Sequence, residues 1–231
     1  MKIVYFGTPQ FAADVLSYLL ENNVAVTAVI TKPDRAQGRS GTPAPTPVKT
    51  VAQKHSIPFF QPEVVSAPEF VPTLQQFEPD LFVVVAYGEI IKQHLLDMPK
   101  TGCINLHASL LPKYRGAAPI QRCIIEGEKE TGVAIMHMAK KMDAGDIIRT
   151  VHIPISEEMT FGELEKELCK IGSEALLTTI REFETGKITR IPQDHSQATF
   201  AAKIELEDCE IKWNSPAKSI HNLVRGVNPH P

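Results

Sequence analysis

The sequence lacks the closely spaced ligands that hold most structural metal ions. Its four cysteines, Cys103, Cys123, Cys169 and Cys209, are scattered, and none belongs to a Cys-x-x-Cys pair. A His-Glu-x-x-His motif is also missing. Zinc sites and disulfide frameworks depend on such spacings, so we expect no metal site and no disulfide. The cysteines are typical of buried thiols in a reducing cytoplasm.

Membrane and export signals are absent as well. No apolar run approaches the roughly 18 residues that a membrane helix needs. Residues 1–7, MKIVYFG, lead straight into a strand instead of a signal peptide. The formal net charge of -3 gives no global attraction for nucleic acid, so any RNA contact has to be local or to lie outside this sequence. We therefore expect a cytoplasmic protein without a membrane segment.

The pattern of apolar residues predicts an α/β fold with a doubly wound, Rossmann-like sheet. A strand at 2–6, a glycine turn and an amphipathic helix at about 10–22 are followed by a second strand at 24–31. The continuous apolar run at 81–86 indicates a central parallel strand that is covered on both faces. Further elements are predicted as helices at 48–54, 69–76, 119–126 and 160–183, and as strands at 59–60, 131–138 and 146–155. The first glycine turn lacks the Gly-x-Gly-x-x-Gly spacing, which argues against a dinucleotide site.

One stretch carries convergent polar groups. Apolar and polar residues alternate over 103–107, so Asn105 and His107 project from the same face of a strand. An amide and an imidazole at the carboxyl end of a strand could both stabilise the negative charge of an attacked carbonyl. Asp143, in a loop of small residues between two predicted strands, could orient His107 and stabilise its charged form. The trio predicts acyl transfer to an amine without a covalent enzyme intermediate.

The local pattern leaves a structural alternative open. An Asn-x-His pair at a strand end is more often a buried and satisfied pair than a catalytic one. Asp146 is interpreted as a turn residue, and His137, on the opposite face of its strand, as a surface or structural histidine. Asp143 is therefore the preferred carboxylate.

Several phrases spread over nearly the whole chain resemble the folate-dependent formyltransferases, and most of all their branch that formylates methionyl-tRNA. They read VYFGTP at 4–9, KPDR at 32–35, VVAYG at 84–88, NLHASLLP at 105–112, YRGAAPIQ at 114–121, MDAGD at 142–146 and NP at 228–229. The resemblance implies 10-formyltetrahydrofolate as the formyl donor and initiator methionyl-tRNA as the acceptor. It implies catalysis by Asn105, His107 and Asp143 without a metal ion.

The resemblance also implies where the two substrates bind. The folate would lie against main-chain groups and apolar walls, with Gly88 allowing close approach. The expected folate contacts are Tyr87, Gly88, Ile90, Ile91, Ser109, Leu110, Leu111 and Pro112. The expected nucleic-acid contacts are Arg35, Arg39, Lys113 and Arg115.

The segment 32–47 is rich in proline, glycine and hydroxyl residues, and we expect it to be an exposed, mobile loop. In the family this loop reaches for the acceptor end of the tRNA. Residues 40–42 read SGT where some relatives carry lysines, so fewer phosphate contacts and a shallower salt dependence are expected. A solvated linker without a binding role is the alternative reading of this loop.

By resemblance the chain divides into a catalytic domain at 1–189, a linker at 190–204 and the start of a C-terminal, tRNA-binding β-barrel domain at 205–231. We expect most of that last domain to be missing, and we expect a monomer. Related enzymes with the same trio formylate amino-sugar nucleotides or purine precursors, or hydrolyse the folate. A non-catalytic nucleotide-binding or RNA-binding module on the same scaffold is a further alternative.

Overall fold

The computed structural model of the protein describes residues 1–36, 41 and 43–230. The strands are Ile3–Gly7 (β1), Val26–Ile30 (β2), Arg35–Ala36 (β3), Pro43–Ala44 (β4), Phe59–Phe60 (β5), Leu81–Val85 (β6), Gly102–His107 (β7), Arg115–Gly116 (β8), Glu130–His137 (β9), Ile147–Pro154 (β10) and Phe200–Ala201 (β11). The α-helices are Gln10–Glu21 (α1), Pro47–Lys54 (α2), Val71–Gln75 (α3), Gln93–Leu96 (α4), Pro119–Ile125 (α5), Phe161–Thr185 (α6) and Ala217–Gly226 (α7). Short 3-10 turns occupy His195–Gln197 and Leu206–Cys209.

The central sheet has the strand order β10-β9-β7-β6-β1-β2-β5. From β5 to β7 all neighbouring strands are parallel, whereas β9 is antiparallel to both β7 and β10. Apolar clusters cover both faces of the sheet, one under α1 and α6 and the other under α4 and the 60–77 region. The predicted α/β, doubly wound architecture is therefore confirmed.

Local sequence accounts for the central strand and the longest helix. All five residues of β6 are buried, as expected for a continuous apolar run between two layers of helices. Helix α6 begins at a capping box, in which the Thr160 hydroxyl accepts from the Glu163 N–H and the Glu163 carboxylate accepts from the Thr160 N–H. It ends at Gly186, whose φ of 69° lies in the left-handed region that glycine tolerates.

The segment 32–47 is more ordered at its two ends than its composition predicted. Strands β3 and β4 pair with each other, so Arg35 lies opposite Ala44. Thr46 caps α2 by accepting from the Lys49 N–H, and the Lys49 ammonium forms an ion pair with Asp34. These contacts join positions that are distant along the loop. Periodicity in the sequence therefore could not predict them. Arg39 lies outside the described residues.

The chain after residue 190 packs back onto the preceding fold. Strand β11 runs parallel to β8, and the Arg115 N–H donates to the Thr199 carbonyl at 2.9 Å. Helix α7 lies against α5, where a Cβ on Gly226 would come within 2.6 Å of Ile125. No helix among the described residues has both the length and the apolarity to cross a bilayer.

Candidate active site

Strand β7 places two polar side chains on one face of the sheet. Ile104 and Leu106 enter the apolar cluster under α1 and α6, so the alternation turns Asn105 and His107 to the opposite face. Leu106 pairs with Val85, which puts His107 level with Ala86, the first residue after β6. His107 is buried and Asn105 is half-buried.

The backbone fixes which nitrogen of His107 carries a proton. Its Nε2 lies 2.8 Å from the carbonyl oxygen of Tyr114, and because a carbonyl can only accept, Nε2 donates. The other ring nitrogen, Nδ1, faces the Asp143 Oδ2 at 3.7 Å. That distance suits an ion pair with a protonated imidazole but is too long for a direct hydrogen bond. The sequence placed His107 and Asp143 in one site but gave no sign of this tautomer.

Asp143 reaches His107 because its loop folds back over the sheet face. The loop leaves β9 beside the start of β7, where the Met138 N–H donates to the Cys103 carbonyl at 2.8 Å. His107 is four residues further along that strand, about 13 Å away. Asp143 itself has a φ of 49°, and its Oδ2 accepts from the Gly116 N–H at 2.8 Å.

Gln193 holds this loop, although no pattern in the sequence assigns a role to this residue. Its side-chain amide donates to the carbonyls of Asp143 and Gly145 at 3.0 and 2.7 Å. Its oxygen accepts from Arg115 Nε and Nη2 at 3.2 and 2.5 Å. Gln193 is buried although it lies in a stretch as polar as a linker. A glutamine after a proline in such a stretch carries no local signal of burial.

The ends of β1 and β6 border a cleft next to these groups. Its volume is about 410 Å³, and its lining includes Thr8, Lys32, Arg35, Thr46, Ala86, Tyr87 and Gly88. Asn105, His107 and Asp143 do not line it, but His107 is level with Ala86, so the cleft and the trio adjoin. A second hollow of the same volume is lined by Glu78 and Lys100, which precede β6 and β7. It therefore lies at the amino ends of these strands, away from the trio.

The residues expected to bind folate after β6 are arranged unequally. Gly88 has a φ of 85°, and a Cβ built on it would meet no atom within 4 Å, so its backbone is open to a ligand. The Tyr87 carbonyl accepts from the Thr8 hydroxyl, whereas the Tyr87 ring is buried against Phe6. Ile90 is exposed and Ile91 is buried in the core. The Ile91 side chain thus faces the core, so Ile90 and Ile91 do not together form an apolar wall for a ligand.

The residues expected to bind folate after β7 form the turn that carries His107's partner. The Ser109 hydroxyl is buried and donates to the Lys113 carbonyl at 2.7 Å. Leu111 packs with Ala134, Met136 and Ile147, and Leu110 and Pro112 are half-buried. Ser109 and Leu111 therefore shape the turn, and the half-buried pair remains accessible.

Tyr114 anchors the far end of the same turn. Its hydroxyl oxygen lies 2.8 Å from a carboxylate oxygen of Glu126 and 2.9 Å from one of Glu128, so the two carboxylates share its single proton as acceptors. Burial, followed by these two carboxylates, raises the pKa of the Tyr114 hydroxyl far above its usual range. The Tyr114 N–H donates to the Thr199 hydroxyl at 2.9 Å, and its φ of 59° is unusual for a residue other than glycine. The carbonyl that accepts the hydrogen bond from His107 Nε2 is therefore held from several sides.

Two of the residues expected to bind nucleic acid are exposed and one is not. Arg35 is exposed on β3, and Lys113 is exposed with its ammonium 3.7 Å from Glu128. Arg115 is only 6% exposed, and its guanidinium donates to Gln193 and contacts His195. Pairing of β8 with β11 turns the Arg115 side chain inward, so the expectation that Arg115 binds nucleic acid stays a prediction that this geometry does not favour. Arg39 cannot be placed, since it lies outside the described residues.

His137 is structural, as its position in β9 predicted. Its ring lies edge-on to Phe183 with 5.8 Å between ring centres, and burial lowers its pKa to about 4. Over residues 1–36, 41 and 43–230, no group of three or more His, Cys, Asp or Glu side chains is arranged to hold a metal ion.

Comparison with known proteins identifies the family. The formyl transferase family matches residues 1–180, and the formyl transferase C-terminal domain matches residues 203–231. The chain belongs to the formyl transferase family. This formyltransferase is 67% identical to the methionyl-tRNA formyltransferase of Protochlamydia amoebophila, covering its own full length and 73% of that protein. It is 48% identical to the methionyl-tRNA formyltransferase of Halalkalibacterium halodurans, over the same shares of the two chains. The resemblance drawn from the sequence is confirmed.

Solved structures of lower identity share the fold of this formyltransferase. The 4-N formyltransferase from Francisella tularensis superposes with a TM-score of 0.76 at 18% identity, over 100% of this chain and 88% of that one. The N-formyltransferase from Helicobacter canadensis, solved with folinic acid and dTDP-3-aminofucose, gives 0.73 at 21% identity, over 98% and 80%. Formyl transfer is thus the activity of the family, and its catalytic fold is present in this chain.

Proposed function

We propose that the protein transfers the formyl group of 10-formyltetrahydrofolate to the α-amine of methionine esterified to initiator tRNA. The observation that carries the proposal is the placement of His107 Nδ1 3.7 Å from the Asp143 carboxylate, on the sheet face that also presents Asn105. The names of two of its relatives, methionyl-tRNA formyltransferases of which the chain spans about three quarters, support the choice of acceptor.

The amine attacks the formyl carbon, and a tetrahedral intermediate forms. A C–N bond to the amine is made, and the bond between that carbon and N10 of the folate then breaks. The developing oxyanion accepts hydrogen bonds from the Asn105 amide and from His107. Because Nε2 of His107 already donates to the Tyr114 carbonyl, Nδ1 is the nitrogen that serves the substrate. The two side chains are two residues apart on one strand, about 6–7 Å, so they can converge on one small group.

Asp143 supports this step in two ways. Its negative charge stabilises the imidazolium form of His107, in which Nδ1 carries a proton. Its Oδ2 is engaged by the Gly116 N–H, whereas its Oδ1 has no hydrogen-bond partner within the described residues. We assign Oδ1 to a water molecule that takes the proton from the attacking amine and delivers it to N10 of the folate. Positioning of two bound substrates then supplies much of the rate, and good alignment is worth about 7–11 kcal/mol.

The donor and acceptor sites follow from the same geometry. We place the folate ring against the open backbone at Gly88, beside the half-buried Leu110 and Pro112. The exposed cations Arg35 and Lys113, together with Arg39, are assigned to phosphates of the tRNA. We further propose that 1–189 carry the catalytic side chains, that 190–204 pack back onto them and support the site, and that 205–231 begin a second domain.

Labelled formyl donor tests this proposal directly. The purified protein is incubated with 10-formyltetrahydrofolate labelled in the formyl carbon and with charged initiator tRNA, an amino-sugar nucleotide or no acceptor. We expect label on the methionine of the tRNA. Label on the sugar would show that the acceptor is an amino-sugar nucleotide and not the tRNA. Release of labelled formate without any acceptor would indicate a hydrolase. Absence of any folate-dependent rise in melting temperature would favour a module that binds no folate.

A further inference from the structure

We propose that Gln193 is a positioning residue, which fixes the Asp143 carboxylate opposite His107 without touching the reacting atoms. This inference rests on the proposed role of Asp143 in formyl transfer. It assigns a function to a residue that lies fifty positions from Asp143 along the chain. The following contacts carry it.

The Gln193 amide joins two pieces of the site, the loop that carries Asp143 and strand β8. It uses all of its hydrogen-bonding groups to do so. Both N–H groups are used by carbonyls of the loop, at Asp143 and Gly145. Its oxygen is used by the guanidinium of Arg115. A neutral amide can donate and accept in this way, whereas a carboxylate only accepts and a thioether does neither well. Asparagine is one methylene too short to span the same gap.

The two pieces converge on the Asp143 carboxylate. Gly116, next to Arg115, donates its N–H to the Asp143 Oδ2. Gln193 therefore holds both the loop that carries the carboxylate and the strand that binds its oxygen. A displacement of either piece would change the distance from Asp143 to His107 Nδ1.

The loop needs such support because its backbone is not at a free-energy minimum of its own. Asp143 has a φ of 49°, in the left-handed region, which aspartate tolerates better than most residues but which is still less favourable than the right-handed region. Surrounding contacts must maintain that conformation. Gln193 is 7% exposed, so water does not easily replace its bonds when the side chain is removed.

The test compares Gln193→Met and Gln193→Glu with a matched control, Gln197→Glu. Gln197 lies on the same segment, is exposed, and makes one long side-chain contact to Ser196 at 3.4 Å. For each variant we measure kcat and KM for formyl transfer, melting temperature, and amide hydrogen exchange over 139–146. Both Gln193 variants are also combined with Asp143→Asn.

We expect kcat to fall about 10²-fold in both Gln193 variants, with KM for donor and acceptor little changed, because small misplacements near reacting groups have such effects. Hydrogen exchange over 139–146 should become faster, and Gln197→Glu should match the parental protein. In the Asp143→Asn background the Gln193 substitutions should cost little more, since they act through the missing carboxylate.

Three outcomes would overturn the inference. They are a parental kcat in both Gln193 variants, the same fold loss with and without Asp143, and unchanged exchange over 139–146. If Gln193→Met fails to fold, the isosteric Gln193→Glu decides. If the parental protein transfers no formyl group to any acceptor, the proposed function fails, and hydrogen exchange alone still decides whether Gln193 holds the loop.

Discussion

The carboxylate of Asp143 stands 3.7 Å from Nδ1 of His107, close enough to interact by charge and too far to share a hydrogen bond. The remaining contacts of both side chains point away from each other, to the Gly116 N–H and to the Tyr114 carbonyl. Each group is thus held by the backbone. Because 3.7 Å leaves no room for an atom between Nδ1 and Oδ2, a substrate or a water has to approach beside this pair.

Replacement of Asp143 separates its charge from its backbone contact. Asp143→Asn keeps an oxygen for the Gly116 N–H, and asparagine tolerates the positive φ, so the fold should be retained. Loss of the charge and of the proton relay should lower kcat about 10²–10⁴-fold. Asp143→Ala should lose as much activity and also some stability. Steady-state kinetics with thermal melts measure both effects, and parental turnover in Asp143→Asn would remove the residue from the mechanism.

Gly145 has no room for a side chain. A Cβ there would lie 1.8 Å from the His137 carbonyl oxygen, so Gly145→Ala must displace the loop that carries Asp143. We expect kcat to fall at least about tenfold as the alignment is lost. Gly186→Ala is the control: its Cβ would meet no atom within 4 Å, and only its positive φ is unfavourable. It should cost about 1 kcal/mol of stability and no activity. Equal kinetics in the two variants would contradict this prediction.

The buried ring of His137 should make the fold sensitive to acid. Its pKa of about 4 in the folded state is below the usual 6.5, so between these values the unfolded chain binds more protons. Stability should therefore fall as the pH drops from 6.5 to 4. The contribution is about 2 kcal/mol after allowance for partial solvent screening.

Urea unfolding of the parental protein and of His137→Leu at pH 7 and pH 5 measures this contribution. The variant should lose less stability on acidification than the parental protein. His152→Asn, at an exposed histidine beside Glu130, is the control and should retain the parental pH dependence. An identical loss in His137→Leu would show that other groups govern the response.

Lys113 and Arg115, two residues apart, should respond differently to substitution. Lys113→Ala removes an exposed cation, so it should weaken tRNA binding and reduce the slope of log affinity against log salt by about 1, with stability unchanged. Arg115→Met leaves the buried side-chain oxygen of Gln193 without its donor and should cost about 1–3 kcal/mol of stability. Binding across a salt series and urea unfolding distinguish the two. A salt slope lowered by Arg115→Met at parental stability would restore its role at the nucleic acid.

Periodicity in the sequence was sufficient for much of the scaffold. The apolar run of β6, the alternation in β7 and the spacing of apolar residues in α6 each reflect contacts made within one element or across one face. The turn residues between β9 and β10 likewise indicated a hairpin with Asp143 in its loop. These features follow from local sequence, because burial on a given face repeats with the period of the element.

The supports of the site could not be predicted in this way. Strands β8 and β11 are two residues long and 85 positions apart, so neither shows a period. The burial of Arg115 and Gln193 depends on that pairing, and their polar side chains suggest exposure instead. The position of the proton on His107 depends on the Tyr114 carbonyl. Every residue has such a main-chain carbonyl, and the sequence does not show which one points at the ring. Such features arise from tertiary packing alone.

The pairing of β8 with β11 also has a consequence for biosynthesis. Tyr114, Gly116 and the Asp143 loop acquire their supports only when residues 193–201 have left the ribosome, long after β7 has been made. Contacts between such distant positions form late, because closing the intervening chain costs entropy. A nascent chain that has been synthesised only as far as α6 thus contains His107 and Asp143, but these two side chains are not yet held in alignment. The alignment of the two catalytic side chains is thus completed only by residues that are synthesised after them.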